Sequence, residues 1–150
     1  MSKIYKELKY RIAFIIGTRP EAIKLAPVIK EFNKSRFFET KVILTGQHLE
    51  MVDNVINLFD FKADFNLKVM TEKQSLTSLS SKMLEKISIC LEETLPLLVI
   101  TQGDTSTAFI ASLAAFYLKI PIAHVEAGLR TNNNLSPFPE EINRRLISHL

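Results

Sequence analysis

Short apolar runs alternate along the chain with longer segments in which apolar residues recur at helical spacing. This alternation is typical of βαβ units and of an open parallel sheet. The pattern predicts strands at residues 11–16, 41–45, 64–69, 97–101 and 122–125, and helices at residues 20–34, 49–59, 75–94 and 105–118. We therefore expect an α/β fold with a parallel sheet, formed by one domain over residues 1–150.

All four glycines stand where a predicted strand ends, at Gly17, Gly46, Gly103 and Gly128. The carboxyl ends of parallel strands share one edge of a sheet, and open α/β sheets bind their ligands there. Ordinary turns also use glycine for its permissive backbone, so the glycines alone do not indicate a site. Their polar neighbours carry more information: Arg19, Lys24, Gln47, His48, Gln102, Asp104, His124 and Glu126. We predict a ligand site on this edge.

Arg19 stands at an unfavourable place in the first predicted helix. Thr18 and Glu21 have the spacing of a capping box, which places the start of the helix here. The positive end of the helix dipole opposes a cation by roughly 0.3 to 1 kcal/mol. Helix N-termini also bind phosphates, and an anion shared with the backbone amides would explain the arginine. An arginine that extends into solvent would avoid the cost, so both interpretations stay open.

Each acidic residue near the predicted edge also has a structural interpretation. Glu21 is expected to be the acid of the capping box. Asp104 would serve equally as the N-cap of the helix that begins at Thr105. Glu126 follows an apolar strand, where a carboxylate needs a cation or a hydrogen bond from a neighbouring turn.

Two pairs of opposite charge lie near the end of the sequence. Glu140 with Arg144, and Glu141 with Arg145, are four residues apart, and Pro139 suits the first turn of a helix. Taken without context, the spacing predicts surface ion pairs worth a few tenths of a kcal/mol each.

Composition narrows the range of functions. The net charge is only +3, and the 19 basic residues are dispersed among 16 acidic ones, which does not favour nucleic-acid binding. The longest apolar stretch, AFIASLAAFYL, is shorter than the ~20 residues of a membrane span, and no signal-peptide pattern is present, so we expect a cytoplasmic protein. The single cysteine, Cys90, fits a buried helical position, and the sequence contains no metal-ligand spacing.

Five segments then identify a family resemblance: GTRPEAIKLAP, GQH, TQGDTSTA, HVEAGLRT and SPFPEEINRR, in this order. Together they resemble the non-hydrolysing UDP-N-acetylglucosamine 2-epimerases of bacteria. The resemblance implies a Rossmann-like doubly wound sheet that forms the N-terminal half of a glycosyltransferase-B-like enzyme. The family interconverts UDP-GlcNAc and UDP-ManNAc by eliminating UDP to a 2-acetamidoglucal and adding it back. The resemblance implies a homodimer and a product used in cell-surface polysaccharide biosynthesis. It does not imply a metal or a nicotinamide cofactor.

The resemblance also assigns roles to cations and to one loop. Arg19 and Lys24 resemble the family's essential basic pair, and we expect them to bind substrate near the diphosphate and to stabilise the charge on departing UDP. Gln47 and His48 resemble a segment that, in some members, helps to bind a second UDP-GlcNAc as an activator. These two are therefore candidate effector-binding residues.

The carboxylates receive the acid/base roles. Asp104, Glu126 and Glu140 resemble the family's acid/base residues, which would move the C2 proton and stabilise the cationic ring carbon. Which of them acts in each direction stays open. Arg144 resembles a family arginine of the substrate site, and its position one helical turn after Glu140 predicts that it keeps that carboxylate ionised.

The chain is shorter than the family pattern. The family's second domain lies outside these residues, so this polypeptide alone is expected to have half a cleft and little or no epimerase activity. A hydrolysing 2-epimerase, a UDP-sugar glycosyltransferase and a non-catalytic nucleotide-sugar binding module remain as alternatives. A nicotinamide-binding domain is disfavoured because GTRPEA lacks the GxGxxG turn.

Overall fold

A computed structural model describes residues 9–46, 49–71 and 73–150. In this part of the chain one sheet contains five strands: β1 (Tyr10–Ile16), β2 (Phe38–Leu44), β3 (Phe65–Asn66), β4 (Leu98–Gln102) and β5 (Ile122–Val125). The helices are α1 (Arg19–Lys34), α2 (Leu49–Phe59), α3 (Leu76–Thr94), α4 (Ser106–Tyr117) and α5 (Glu140–Ile147). Every strand pair is parallel, which confirms the predicted α/β class.

Both faces of the sheet are covered by helices. Along β1, Ile12, Phe14 and Ile16 pack with α1 and α2, whereas Ala13 and Ile15 pack with α3 and α4. Because neighbouring residues of the strand face opposite layers and both layers are apolar, its buried part, residues 12–16, is a continuous apolar run. The same burial explains why apolar runs were sufficient to locate the central strands.

The strand order is β3-β2-β1-β4-β5. The chain builds outwards from β1 to β3 and then returns to the other side of β1 with β4 and β5. The order therefore reverses between β1 and β4, as in doubly wound Rossmann-like sheets, and a crevice opens at the carboxyl ends of these two strands. Helix α5 packs against α4.

The element boundaries differ from the predictions mainly in β2 and in the edge strand β3. β2 begins at Phe38, three residues before the predicted start, because it pairs with β1 from Tyr10 onwards. β3 pairs over two residues only, and its predicted extension to residue 69 is interrupted at Lys68, which has φ of +47°. No helix in the described ranges is long and apolar enough to cross a membrane.

Candidate active site

A cavity of about 380 Å³ lies at the crevice between the turns that follow β1, β4 and β5. Its lining residues come from all three turns: Thr18, Pro20, Glu21 and Lys24; Gln102, Gly103, Asp104 and Thr105; and Glu126 and Leu129. The sequence therefore predicted the correct edge of the sheet. It also predicted that Lys24, Asp104 and Glu126 meet there, although they are distant in sequence.

Two side chains from other elements hold the carboxylate of Glu126. Lys24 Nζ, from α1, and Gln102 Nε2, from the last residue of β4, both donate to Glu126 Oε2. No described residue bonds to Oε1. Glu126 has φ of +62°, in the left-handed region that few non-glycine residues adopt, and its side chain is 35% exposed. The carboxylate thus has one bound oxygen and one oxygen available to a ligand.

Asp104 is held in a similar way from α5. Arg144 donates to Asp104 Oδ2 at 2.5 Å, and the side chain of Asn143 donates to the Asp104 carbonyl at 2.8 Å. Oδ1 has no partner among the described residues. The interpretation of Asp104 as an N-cap is wrong, because Thr105 takes that position: its hydroxyl accepts the N–H of Ala108 and α4 begins at Ser106.

Glu21 joins two of the turns that line the cavity. Its Oε2 accepts the N–H groups of Gly17 and Thr18, both at 2.6 Å, which confirms the predicted capping role. Its Oε1 accepts the hydroxyl of Thr105, 84 residues away. Burial raises the pKa of Glu21 above its ordinary value, and the hydrogen bonds from Thr105, Gly17 and Thr18 oppose that shift. The turn between β1 and α1 is therefore fixed to the turn between β4 and α4.

The same junction explains Gly17. A Cβ added there would lie 2.1 Å from Thr107 Oγ1 and 2.9 Å from Thr45 Oγ1. The two hydroxyl oxygens are themselves 3.2 Å apart across the ends of β2 and α4. Glycine is required here by the close approach of three turns.

Of the two ion pairs predicted on the surface of α5, Glu141 with Arg145 forms, but its carboxylate is buried and not on the surface. Glu141 is fully buried and Arg144 is 4% exposed. Glu141 Oε2 accepts Arg144 at 2.9 Å and the backbone N–H of Thr131 at 2.9 Å, while Oε1 accepts Arg145 at 3.0 Å. The pair of Glu141 with Arg145 was predicted, but its burial was not, because helical spacing does not show what packs over a helix.

The N–H of Thr131, with further hydrogen bonds from Arg144 and Arg145, outweighs burial and lowers the pKa of Glu141 from 4.5 to about 2. A lowered folded-state pKa contributes stability that is complete above about pH 4.5 and is lost as pH falls towards 2. We expect Glu141→Gln to be less stable than the unchanged chain at pH 7, with the difference shrinking between pH 5 and pH 2.5. Urea unfolding midpoints measured over this range provide the check, with exposed Glu85→Gln as the matched control. A difference that does not change with pH would contradict the assignment.

Glu140 and Arg144 do not form the expected pair. Arg144 bonds to Asp104 and Glu141, and Glu140 Oε2 is a buried atom without a hydrogen-bond partner. The guanidinium is occupied by two carboxylates, one of them 40 residues away in sequence. The prediction that Arg144 keeps Glu140 ionised is therefore corrected: the carboxylates that it contacts are Asp104 and Glu141.

The predicted anion-binding role of Arg19 has no direct support from contacts among the described residues. Arg19 is exposed in the first turn of α1, between the cavity-lining Thr18 and Pro20, and no described residue bonds to its guanidinium. Its predicted role at an anion stays a prediction. Gln47 and His48 lie outside the described residues.

Sequence reasoning placed Gln102 on the predicted edge without naming its partner, and it assigned no role in the site to Thr105 or Asn143. Thr105, Asn143 and Gln102 act through contacts over 24 to 84 residues, and no local pattern signals such contacts. His124, noted on the predicted edge, bonds through Nε2 to the carbonyl of Gly103 at 2.6 Å. Within the described ranges, no group of three or more His, Cys, Asp or Glu side chains is arranged to hold a metal ion.

The arrangement places three carboxylates and one ammonium group around one cavity, and Glu21 has both oxygens hydrogen-bonded within the fold. Asp104 and Glu126 each have one oxygen held by protein donors and one oxygen without a described partner. Carboxylates oriented in this way can accept or deliver a proton when a substrate lies within hydrogen-bond reach. Lys24 and the nearby Arg19 add positive charge, which suits an anionic substrate.

Comparisons with known proteins agree with this chemistry. A family model described as UDP-N-acetylglucosamine 2-epimerase matches residues 30–150. A Neisseria meningitidis serogroup A protein named UDP-N-acetylglucosamine 2-epimerase is 51% identical over 140 residues, which cover 93% of this chain. The crystal structure of a Neisseria meningitidis UDP-GlcNAc 2-epimerase bound to UDP-GlcNAc superposes with a TM-score of 0.89 at 50% identity, covering 93% of this chain and 38% of that one. A structure of S. aureus MnaA with UDP gives a TM-score of 0.90 at 43% identity, covering 94% and 37%.

These relatives are considerably longer than the chain. The aligned segment spans 38% of the length of the Neisseria meningitidis relative. In the relatives, the segment that matches this chain and contains the cavity is therefore only part of a longer protein.

Proposed function

Because the chain belongs to the UDP-N-acetylglucosamine 2-epimerase family, we propose that it provides part of the active site of an enzyme that interconverts UDP-GlcNAc and UDP-ManNAc. The observation that carries the proposal is the pair of oriented carboxylates, Asp104 and Glu126, on one cavity with Lys24. Relatives whose structures contain UDP-GlcNAc or UDP support the substrate class. The proposal includes a second domain, a homodimer, a cytoplasmic location and a product used for cell-surface polysaccharide.

The proposed reaction proceeds in two steps. A carboxylate removes the C2 proton while the bond from C1 to the UDP oxygen breaks, and its electron pair leaves with UDP. The electrons of the C2–H bond form the double bond between C1 and C2 of the 2-acetamidoglucal. In the second step a proton is delivered to the opposite face of C2, and the UDP oxygen bonds to C1 again.

Asp104 and Glu126 suit the proton transfers because each has one oxygen without a described partner. Glu140 is a third candidate from the family resemblance alone, because it is not among the residues that line the cavity and its Oε2 is buried. Lys24 would stabilise charge on departing UDP. Arg19 would meet the diphosphate beside the N-terminus of α1, where an anion removes the unfavourable interaction between a cation and the helix dipole. Arg144 would act by holding Asp104 towards the substrate.

The test uses a chimera in which this chain replaces the matching 140 residues of the Neisseria meningitidis relative. We expect the chimera to convert UDP-GlcNAc to UDP-ManNAc in heavy water and to incorporate deuterium at C2, as followed by NMR. The remainder of the relative without the exchanged segment is the control and should be inactive. A folded chimera that does not convert the substrate, or that retains the C2 proton through turnover, would contradict the proposal.

The products formed by the chimera, together with one binding measurement, separate the alternatives. Release of free N-acetylmannosamine with UDP would indicate the hydrolysing reaction, and transfer of labelled sugar to an acceptor would indicate a glycosyltransferase. Calorimetry with UDP and UDP-GlcNAc on the 150-residue chain addresses the remaining case. Tight binding to a chain whose chimera does not turn over would indicate a non-catalytic binding module.

A further inference from the structure

Gln102 is a buried amide that contacts a predicted acid/base group. It is the last residue of β4 and is only 4% exposed. Its partner in the sheet is Val125 of β5, and the N–H of Gly103 donates to the Val125 carbonyl at 3.0 Å. The backbone of β4 is therefore fixed to β5 immediately beside Glu126. The amide of Gln102 reaches the carboxylate from a rigid position.

Glu126 lacks this rigidity of its own. It lies beyond the end of β5, in a turn, with a left-handed backbone and a side chain that is one-third exposed. A long acidic side chain in such a place can adopt many rotamers unless other groups restrain it. The Lys24 ammonium group attracts the carboxylate but lies on a flexible stem that is 47% exposed. Gln102 is the better restrained of the two donors.

The geometry of the contact is selective between the two carboxylate oxygens. Both donors bind Oε2, and the described residues leave Oε1 without a partner. A planar carboxylate with one oxygen fixed has its second oxygen aimed in a defined direction. Reaction rates are sensitive to such aiming, since a misplacement of about 1 Å can cost 10²-fold.

We propose that Gln102 is a positioning residue that holds Oε2 of Glu126 and thereby presents Oε1 to the C2 proton of the substrate. The proposal rests on the epimerase function proposed above and adds a residue to it. Gln102 transfers no proton, because a neutral amide neither accepts nor releases one at ordinary pH. Its effect passes through Glu126 alone.

The variant that tests the proposal is Gln102→Met in the chimera. Methionine keeps the length of the side chain and removes the donor. We expect kcat to fall roughly 10- to 100-fold with KM unchanged, since the substrate is still bound but the proton-transfer geometry is lost. Gln74→Met is the matched control, because Gln74 does not line the cavity, and it should keep the kcat of the chimera.

A double-mutant cycle distinguishes positioning from a general structural role. In a Glu126→Gln background, Gln102→Met should cause no further loss of kcat, because the group that it positions is already absent. An equal loss in both backgrounds, or an unchanged kcat in Gln102→Met alone, would overturn the proposal.

A measurement without turnover keeps the two proposals separable. In the 150-residue chain, the side-chain amide protons of Gln102 should shift in NMR spectra on Glu126→Ala. An unchanged amide resonance would overturn the role of Gln102 even if the chimera is an active epimerase. Inactivity of a folded chimera that retains Gln102 contradicts the epimerase function, whatever the amide resonance shows.

Discussion

Replacing Glu126 by Gln in the chimera should lower kcat for epimerisation by about 10² to 10⁴-fold, the range that a general acid or base contributes. Glutamine preserves the shape of the side chain and tolerates the same backbone conformation. It cannot take up or release the C2 proton. Conversion of UDP-GlcNAc followed by NMR gives kcat directly, and deuterium incorporation at C2 should slow by the same factor.

The fold should survive this change, so that the loss can be assigned to chemistry. The ion pair of Glu126 with Lys24 is one-third to one-half exposed, and such pairs contribute about 0 to 1 kcal/mol. The melting temperature of Glu126→Gln should therefore stay near that of the chimera. Glu85→Gln, on the exposed surface of α3, is the matched control and should keep full activity. Unchanged kcat in Glu126→Gln would remove Glu126 from the proposed mechanism.

The central strands were predictable because their physical cause is local. Residues 12–16 of β1 are buried on both faces of the sheet, so they form a continuous apolar run that can be recognised without knowing the neighbouring strands. The length of β3 was overestimated, because the length of an edge strand depends on how many residues pair with its one neighbouring strand. The location of the site also followed from local signals, since polar residues after apolar strands meet at one edge of a parallel sheet.

The contacts within the site were less predictable because several acids are available to one donor, and several donors to one acid. Helical spacing predicted that Arg144 pairs with Glu140. The guanidinium instead donates to Glu141 and to Asp104, which is 40 residues away in sequence. The burial of Glu141 depends on packing around α5, which spacing does not encode. Capping at Glu21 was predicted from its neighbours, whereas its bond to Thr105 required the assembled sheet. Local rules thus located the residues, and tertiary packing decided their partners.

Arg144→Met should lower the free energy of unfolding by about 1.5 to 3 kcal/mol, the range for losing hydrogen bonds to charged groups. Arg144 is 4% exposed and donates to Asp104 Oδ2 at 2.5 Å and to Glu141 Oε2 at 2.9 Å. Methionine fills much of the same volume, so the expected loss comes from the donor that Asp104 and Glu141 lose and not from a cavity; Glu141 keeps Arg145 and the N–H of Thr131. Urea unfolding of the 150-residue chain at pH 7 measures it.

Three further variants identify the cause of this loss. Arg36→Met removes an exposed arginine that lies over the ring of Phe37, and it should change stability by no more than about 0.5 kcal/mol. Arg144→Lys should fall between the two, because a single ammonium group cannot reproduce the planar fork that serves both carboxylates. Neutralising the partners in a triple variant, Arg144→Met with Asp104→Asn and Glu141→Gln, should restore part of the stability, since no unpaired charge then remains buried. If Arg144→Met is no more destabilising than Arg36→Met, the buried charge network does not hold α5 against the β4–α4 turn.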